Sequence, residues 1–230
     1  MGQHILSGNP PIELTLRRSA RARRISLRVS ELDGRVTLTM PRGLSEKAAL
    51  EFAHEKRDWL ARQLGAHPGE SPVLQGAELP VEGEVLRIAQ GQGRRVLREG
   101  DVLFVPGPAE ATGARTRAWL KTLARERLAE ASDRHAARLG RPYARISLRD
   151  TRSRWGSCSS QGTLMYSWRL IMAPPGVLDY VAAHEVAHLA EMNHSQAFWD
   201  EVARLLPGYD APRRWLRANG AGLHRYRFDS

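Results

Sequence analysis

"HEVAHLAEMNH", His184 to His194, places three of the chain's eight histidines within eleven residues, and its reading decides the fold around it. On a helix, residues four apart lie one above the other, so His184 and His188 project from one face and can offer two imidazole nitrogens to a single ion. Glu185 follows the first histidine, where its carboxylate can reach a metal-bound water without itself being a ligand. A metal lowers the pKa of its water, and a carboxylate so placed takes the proton as the water attacks a carbonyl. The alternative is a buried helix that carries polar residues for packing. Val181, Ala182, Ala183, Val186, Ala187 and Leu189 surround the motif and imply burial. Two neutral imidazoles beside a buried carboxyl group are unfavourable there unless something pairs with them, and a metal does so.

A catalytic zinc site takes three protein ligands and a water. His194 lies six residues beyond His188, out of phase with the shared face, so it reaches the metal only if the helix breaks. Asn193 tolerates the left-handed conformation and is expected to end the helix and swing His194 back. The spacing equals that of the metzincins, whose glycine stands three residues after the second histidine. Here that position is Glu191, so the turn must be built differently. Glu191 is itself a rival ligand on the face of His188, with Asp200 and Glu201 behind it. Spacing and chemistry favour His194.

The whole chain sets the context. Its 230 residues suffice for a real core, as one domain with an extension or as two small domains. Hydrophobic content of 42% with 26% charged residues is that of a soluble globular protein. No apolar run approaches the roughly 20 residues of a membrane span, so no membrane partner is expected. The N-terminus lacks the apolar region of a secretory signal, and the single cysteine, Cys158, excludes an internal disulfide. A cytoplasmic location follows as the expectation. The net charge of +10 raises nucleic acid or nucleotides as partners, since clustered cations neutralise phosphates. That signal is discounted because Lys47, Lys56 and Lys121 are the chain's only lysines among 35 basic residues, a bias toward arginine throughout. Arg17 to Arg28 holds six arginines in twelve positions, read as a solvated strand face or an anionic-ligand surface.

Along the chain, Ile25, Leu27 and Val29 alternate with polar residues, an Asp-Gly turn follows, and Val36, Leu38 and Met40 continue the period of two. That is a hairpin. Ser45 is a plausible N-cap for a helix through about Leu64, closed by Gly65. Short strands are expected between Pro68 and Gly107. "PGPAEATG", Pro106 to Gly113, is the clearest break in the chain. It divides an N-terminal β-rich portion with one helix, residues 1–107, from a second domain, residues 114–230. The second domain opens on a long helix with Trp119, Leu120, Leu123, Leu128, Ala131 and Leu139 on one stripe, ended by Gly140 and Pro142. Two strands, the histidine-bearing helix, a helix around Gln196 to Leu206 and a short one around Pro212 to Ala218 complete it.

"RWGSCSSQGTLMYSWRLIMAPPGVLDYVAAHEVAHLAEMNHSQAFW", Arg154 to Trp199, closely resembles the YgjP-like metallopeptidase family, a bacterial group related to the SprT and WLM domains within the zincin superfamily. Three blocks match in order: the "RWGSC" strand turn, the H-E-x-x-H helix, and "NHSxxFW". The likeness covers roughly Arg145 to Trp215, and "RRISLRVSELDGRVTLTMPRGLSEKAALEFAHEKRDWL", from Arg23 to Leu60, resembles the family's N-terminal portion. The resemblance implies an α+β fold: a zincin-like catalytic domain, with the active-site helix beside a small sheet, preceded by the β-rich portion. It implies His184, His188 and His194 as ligands of one Zn2+ and Glu185 as general base.

Zincins commonly present a strand edge on which an extended substrate adds as a further strand, which makes Leu164 to Ile171, with Trp168, candidates for the cleft floor. Burial in the core is the competing reading for Trp168. Arg154 or Ser157 could stand near the site, and Cys158 could be a fourth ligand, a reactive thiol or a small buried hydrophobe. An oxyanion donor is sought among Tyr180, Arg154, His224 and Tyr226. Phe198 and Trp199 are expected to pack the following helix against the active-site helix. The function expected is a zinc-dependent hydrolase of peptides or proteins. The alternatives are a metal-dependent hydrolase of nucleotides or other phosphate substrates, and a nucleic-acid-associated protease. The sequence leaves the oligomeric state open.

Overall fold

The computed structural model describes residues 2–30, 34–65 and 69–229. Contacts divide the chain into two compact units, Met1–Glu70 and Ser71–Ser230.

The first unit is a four-stranded sheet covered by two helices. Its strands are β1 (Gly2–Leu6), β2 (Ile12–Ser19), β3 (Ser26–Val29) and β4 (Val36–Pro41), in the order β1-β2-β4-β3. β3 and β4 form the expected antiparallel hairpin, with Leu27 opposite Leu38; the Asp-Gly turn expected between them falls largely on residues 31–33, outside the described residues. β2 runs parallel to β4. Ile12, Leu14 and Leu16 on β2 and Val36, Leu38 and Met40 on β4 all point inward, as a period of two dictates for a sheet with one buried face. Arg28 points outward on β3, and Arg18 on β2 donates to the carbonyls of Arg42 and Leu44, while Arg21, Arg23 and Arg24 lie in the turn between the two strands, so only part of the basic stretch is a strand face. The single helix expected from Ser45 is two: α1 (Glu46–Glu55) and α2 (Arg57–Gly65), separated at Lys56, whose φ of −95° and ψ of 10° leave the helical range. Ser45 caps α1 by accepting from the Ala48 amide. Ala49, Ala53 and Leu60 close the core over the sheet.

The second unit begins with β5 (Ser71–Pro72), which pairs with β13 (Tyr226–Arg227) near the C-terminus. Four strands follow, β6 (Glu78–Val81), β7 (Glu84–Gly91), β8 (Leu97–Glu99) and β9 (Val102–Pro106), in the order β6-β7-β9-β8. The long helix α3 (Thr112–Leu139) ends where expected, with Gly140 in the left-handed conformation at φ 74°. Then come β10 (Arg145–Arg149), β11 (Gly156–Cys158) and β12 (Thr163–Ser167), a 3-10 turn at Trp168–Met172, and helices α4 (Pro175–Ala187), α5 (Gln196–Leu205) and α6 (Asp210–Asn219).

The expected division at 107–114 gives way to the one at 70–71. Leu79, Val81, Leu86, Ile88, Leu103 and Val105 of the β6–β9 sheet share one core with Leu120 and Leu128 of α3, Leu164 of β12 and Val181 of α4. The Pro- and Gly-rich segment interrupts the hydrogen-bonding pattern, but the strands before it bury their apolar face against the helix after it. The fold is α+β, with helix α4 packed beside the small mixed sheet β10-β12-β11. Among the described residues no helix is long and apolar enough to cross a membrane.

Candidate active site

Pro175 opens α4 at the first helical position, where a missing amide hydrogen leaves no bond unmade. Val177, Leu178, Val181, Ala182, Ala183, Val186 and Ala187 are all buried, so the helix is enclosed on most of its circumference. Small residues let neighbouring elements approach it closely. His184 and His188 leave it one turn apart, their ring centroids 5.1 Å from each other.

The helix stops at Ala187, six residues before Asn193. The Leu189 and Ala190 amides bond to the carbonyls of Val186 and Ala187, three residues back, which tightens the last turn. Asn193 is not a left-handed stop, since the one described non-glycine residue with positive φ is Glu82. The chain turns back through residues 191–195, and Ser195 caps α5 by accepting from the Phe198 amide. This return delivers His194: its Nε2 lies 3.1 Å from His184 Nε2, and its ring centroid 4.8 Å from that of His188.

The structure thus brings His184, His188 and His194 together, with one ligand atom from each lying within 4.8 Å of the others. The rivals stand elsewhere: Asp200 accepts from Gln196, and Glu201 pairs with Arg204. Glu191 serves through its main chain. Its carbonyl accepts a hydrogen bond of 2.9 Å from His188 Nδ1, which fixes that ring's tautomer and leaves Nε2 with a free lone pair.

The donor set fits a metal ion. Nitrogens bound at about 2.0–2.1 Å in a tetrahedral site stand about 3.3–3.4 Å apart, close to the His184–His194 separation. Burial, with His188 and His194 adding repulsion, pushes His184 down to about 3, so it is a neutral base at physiological pH. Phe198, fully buried, supports all three rings: it stacks on His188 at 4.4 Å and meets His184 and His194 edge-on at 4.9 and 4.8 Å. Phe198 and Trp199 do join α5 to the active-site helix.

Glu185 is buried beside Gly156 of β11, where a Cβ would stand 2.5 Å from its Oε1. Burial raises its pKa to about 8, against the opposing pull of Arg154. A carboxyl group poised near neutrality is suited to exchanging protons. Cys158 is pushed up to about 11 by burial and by Glu185, and its thiol points to the Ser159 carbonyl at 3.4 Å. It is a protonated, half-buried side chain outside the histidine cluster.

The model for the YgjP-like metallopeptidase domain matches residues 23–219. The chain belongs to the YgjP-like metallopeptidase family. Its members are metal-dependent peptidases, and the match spans both compact units. No curated protein matches the chain. A solved structure, the metallopeptidase zymogen of Pyrococcus abyssi abylysin, aligns with a TM-score of 0.36 and 23% identity over 40% of this chain and 92% of that one.

In this YgjP-like chain the expected cleft floor needs correction. β12 is the middle strand of its sheet, and Trp168 is fully buried in the 3-10 turn after it. The edge strands are β10 and β11, and β11 is the one that carries Gly156, Ser157 and Cys158 past Glu185. A cavity of about 320 Å³ lies at the Trp155 end, lined by Trp155, Tyr180, His184, His194, Trp199, Arg213, Leu216 and Arg217. Another of about 620 Å³ takes in Ser159, Ser160 and Gln161 at the other end of β11, together with Tyr143, His188 and Met192.

Of the oxyanion candidates, Tyr180 lines the first cavity, its ring 5.9 Å from that of His184. Arg154 is exposed and acts on Glu185 through its charge. His224 is buried against Trp155, with ring centroids 5.1 Å apart, and the Tyr226 carbonyl accepts from Arg169; both belong to the C-terminal packing. Sequence reasoning missed Gly156, Tyr209, Arg213 and Arg217. The two arginines were detectable as an i, i+4 pair on α6, whereas nothing local marks Gly156, whose neighbour Glu185 lies 29 positions away.

Proposed function

We propose that the protein is a zinc-dependent peptidase, with His184, His188 and His194 as the metal ligands and Glu185 as the general base. The observation that carries this reading is the convergence of three imidazoles beside a buried carboxyl group, next to a free strand edge. Zinc suits an all-imidazole set, having no redox chemistry and a tetrahedral preference. When bound, the ion acidifies a water and polarises the substrate carbonyl.

The protein's own residues supply the rest. A peptide aligned on the free edge of β11 bonds through its main chain, which gives affinity with little dependence on sequence. It passes Glu185 at Gly156, beside the cavity at the Trp155 end, and runs on toward the other cavity. Glu185 as a carboxylate accepts the proton of the attacking water and then delivers it to the departing amine, acting first as base and then as acid. Glu191 and Phe198 hold the His188 ring at a fixed angle. Tyr180 is the side chain placed to donate a hydrogen bond to the developing oxyanion.

The test is metal analysis followed by assays on casein, peptide mixtures and nucleoside triphosphates, for the protein and for Glu185→Gln. Peptide cleavage that Glu185→Gln abolishes while zinc is retained supports the reading. A protein with no affinity for zinc, or hydrolysis confined to the triphosphates, overturns it.

A further inference from the structure

The cavity beside His184 and His194 has two arginines in its lining and no carboxylate. Arg213 and Arg217 lie four residues apart on α6, so their side chains leave the helix one above the other, with Leu216 between them in sequence. The Arg213 guanidinium carbon lies 4.2 Å from the centroid of the Trp199 ring. Trp199 stacks on Tyr209 at 5.7 Å, and Tyr209 on Tyr180 at 6.3 Å, with planes within 17° and 13° of parallel. That column of rings holds the guanidinium at the cavity wall, over the face of Trp199. The carboxylate paired with Arg213 is Asp210, at the long distance of 3.8 Å and itself 60% exposed. Arg217 is exposed and has no ion pair or hydrogen bond to any described residue.

Two like charges one helical turn apart repel, and while Arg213 gains from its contact with Trp199, Arg217 has no such partner, so an anion received between them relieves the repulsion. We propose that this cavity is a specificity pocket for a carboxylate carried by the peptide substrate next to the scissile bond. Arg213 is the oriented partner and Arg217 the free one. A volume of about 320 Å³ holds one side chain or chain terminus, not a folded partner. Trp155 and Leu216 provide apolar surface for the methylenes behind the charged group, and a guanidinium matches a carboxylate with two parallel N–H···O bonds. The carboxylate is that of Asp or Glu, or the peptide's own C-terminus, which presents the same chemistry. The inference rests on the peptidase reading for its placement beside the reacting bond, while the anion preference stands on the arginines alone.

The test uses full-length, zinc-loaded Glu185→Gln protein and three fluorescein-labelled hexapeptides. One carries a central Glu and an amidated C-terminus, one has Gln in its place, and one has the Gln with a free C-terminal carboxylate. At least one carboxylate peptide is expected to bind roughly 1.5- to fivefold more tightly than the neutral one, the range for a solvent-accessible cation pair. Which of the two gains identifies the source. The preference shrinks in 0.5 M salt, to the extent that roughly 4 Å screening allows, and Arg217→Glu on the same background removes it or transfers it to a Lys peptide. Equal binding of all three peptides, unaltered by Arg217→Glu, overturns the pocket. Cleavage by protein retaining Glu185 keeps the two readings apart. Cleavage with no carboxylate preference in binding or turnover removes the pocket and leaves the peptidase. A carboxylate preference in binding with no peptide cleaved removes the peptidase and leaves an anion pocket.

Discussion

Gly156 and Glu185 share one space: a Cβ at position 156 would lie 2.5 Å from Glu185 Oε1, closer than real atoms approach. Glycine is required here for lack of a side chain, not for an unusual backbone. Gly156→Ala must therefore displace the carboxylate while leaving the histidines in place. The expected result is a loss of roughly 10²-fold in kcat, the effect of moving a reacting group by about 1 Å, with zinc content unchanged. Steady-state kinetics together with metal analysis checks this, and unchanged kcat counts against Glu185 as the base.

Phe198 lies under all three imidazoles and is fully buried. Phe198→Ala is expected to destabilise the metal-free protein by about 3–5 kcal/mol, as for large aromatic deletions from a core. It should also weaken zinc binding, because the ligand rings lose the surface that orients them. Urea denaturation and zinc competition measure the two effects. A loss below about 1 kcal/mol contradicts the packing described.

Acid stability follows from the buried histidines. Burial, with nearby positive charge, holds His184 at about 3 and His224 at about 4. Unfolded, both groups take up protons near 6.5, so below that pH the unfolded state binds more protons than the folded one. Their contribution is intact above about 6.5 and is lost as pH falls toward the folded values. Asp150 adds to the loss at still lower pH: burial alone would raise its pKa, but the Arg169 guanidinium, 2.7 Å away, holds it below the usual carboxylate range. Urea midpoints of chelated protein should decline from pH 7 to pH 4.5, the two histidines together outweighing Glu185, which burial raises to about 8 and which acts in the opposite sense over this range. A flat profile contradicts the burial of these rings.

Much of this arrangement is legible in the residues themselves. The H-E-x-x-H helix, the β3–β4 hairpin, the Ser45 cap and the end of α3 at Gly140 follow from local periodicity and from the conformational preferences of Ser and Gly. Three features do not. The helix ends at Ala187 because of backbone and imidazole hydrogen bonds around Glu191, and no residue type at 187 or 188 announces them. β12 lies inside its sheet, not at its edge, because parallel pairing with β10 is a long-range choice that alternation does not encode. The break at Pro106 to Gly113 reads as a domain boundary, yet the strands before it share a core with α3, and sharing a core depends on tertiary contacts.

Three imidazoles from α4 and the returning loop are proposed to bind one zinc ion. Zinc-edge X-ray absorption of the loaded protein tests it most directly. Three nitrogen ligands and one oxygen are expected at about 2.0–2.1 Å, with imidazole scattering from three rings, falling to two in His194→Ala. A sulfur shell at about 2.3 Å, implicating Cys158, or three rings retained in His194→Ala, would contradict it.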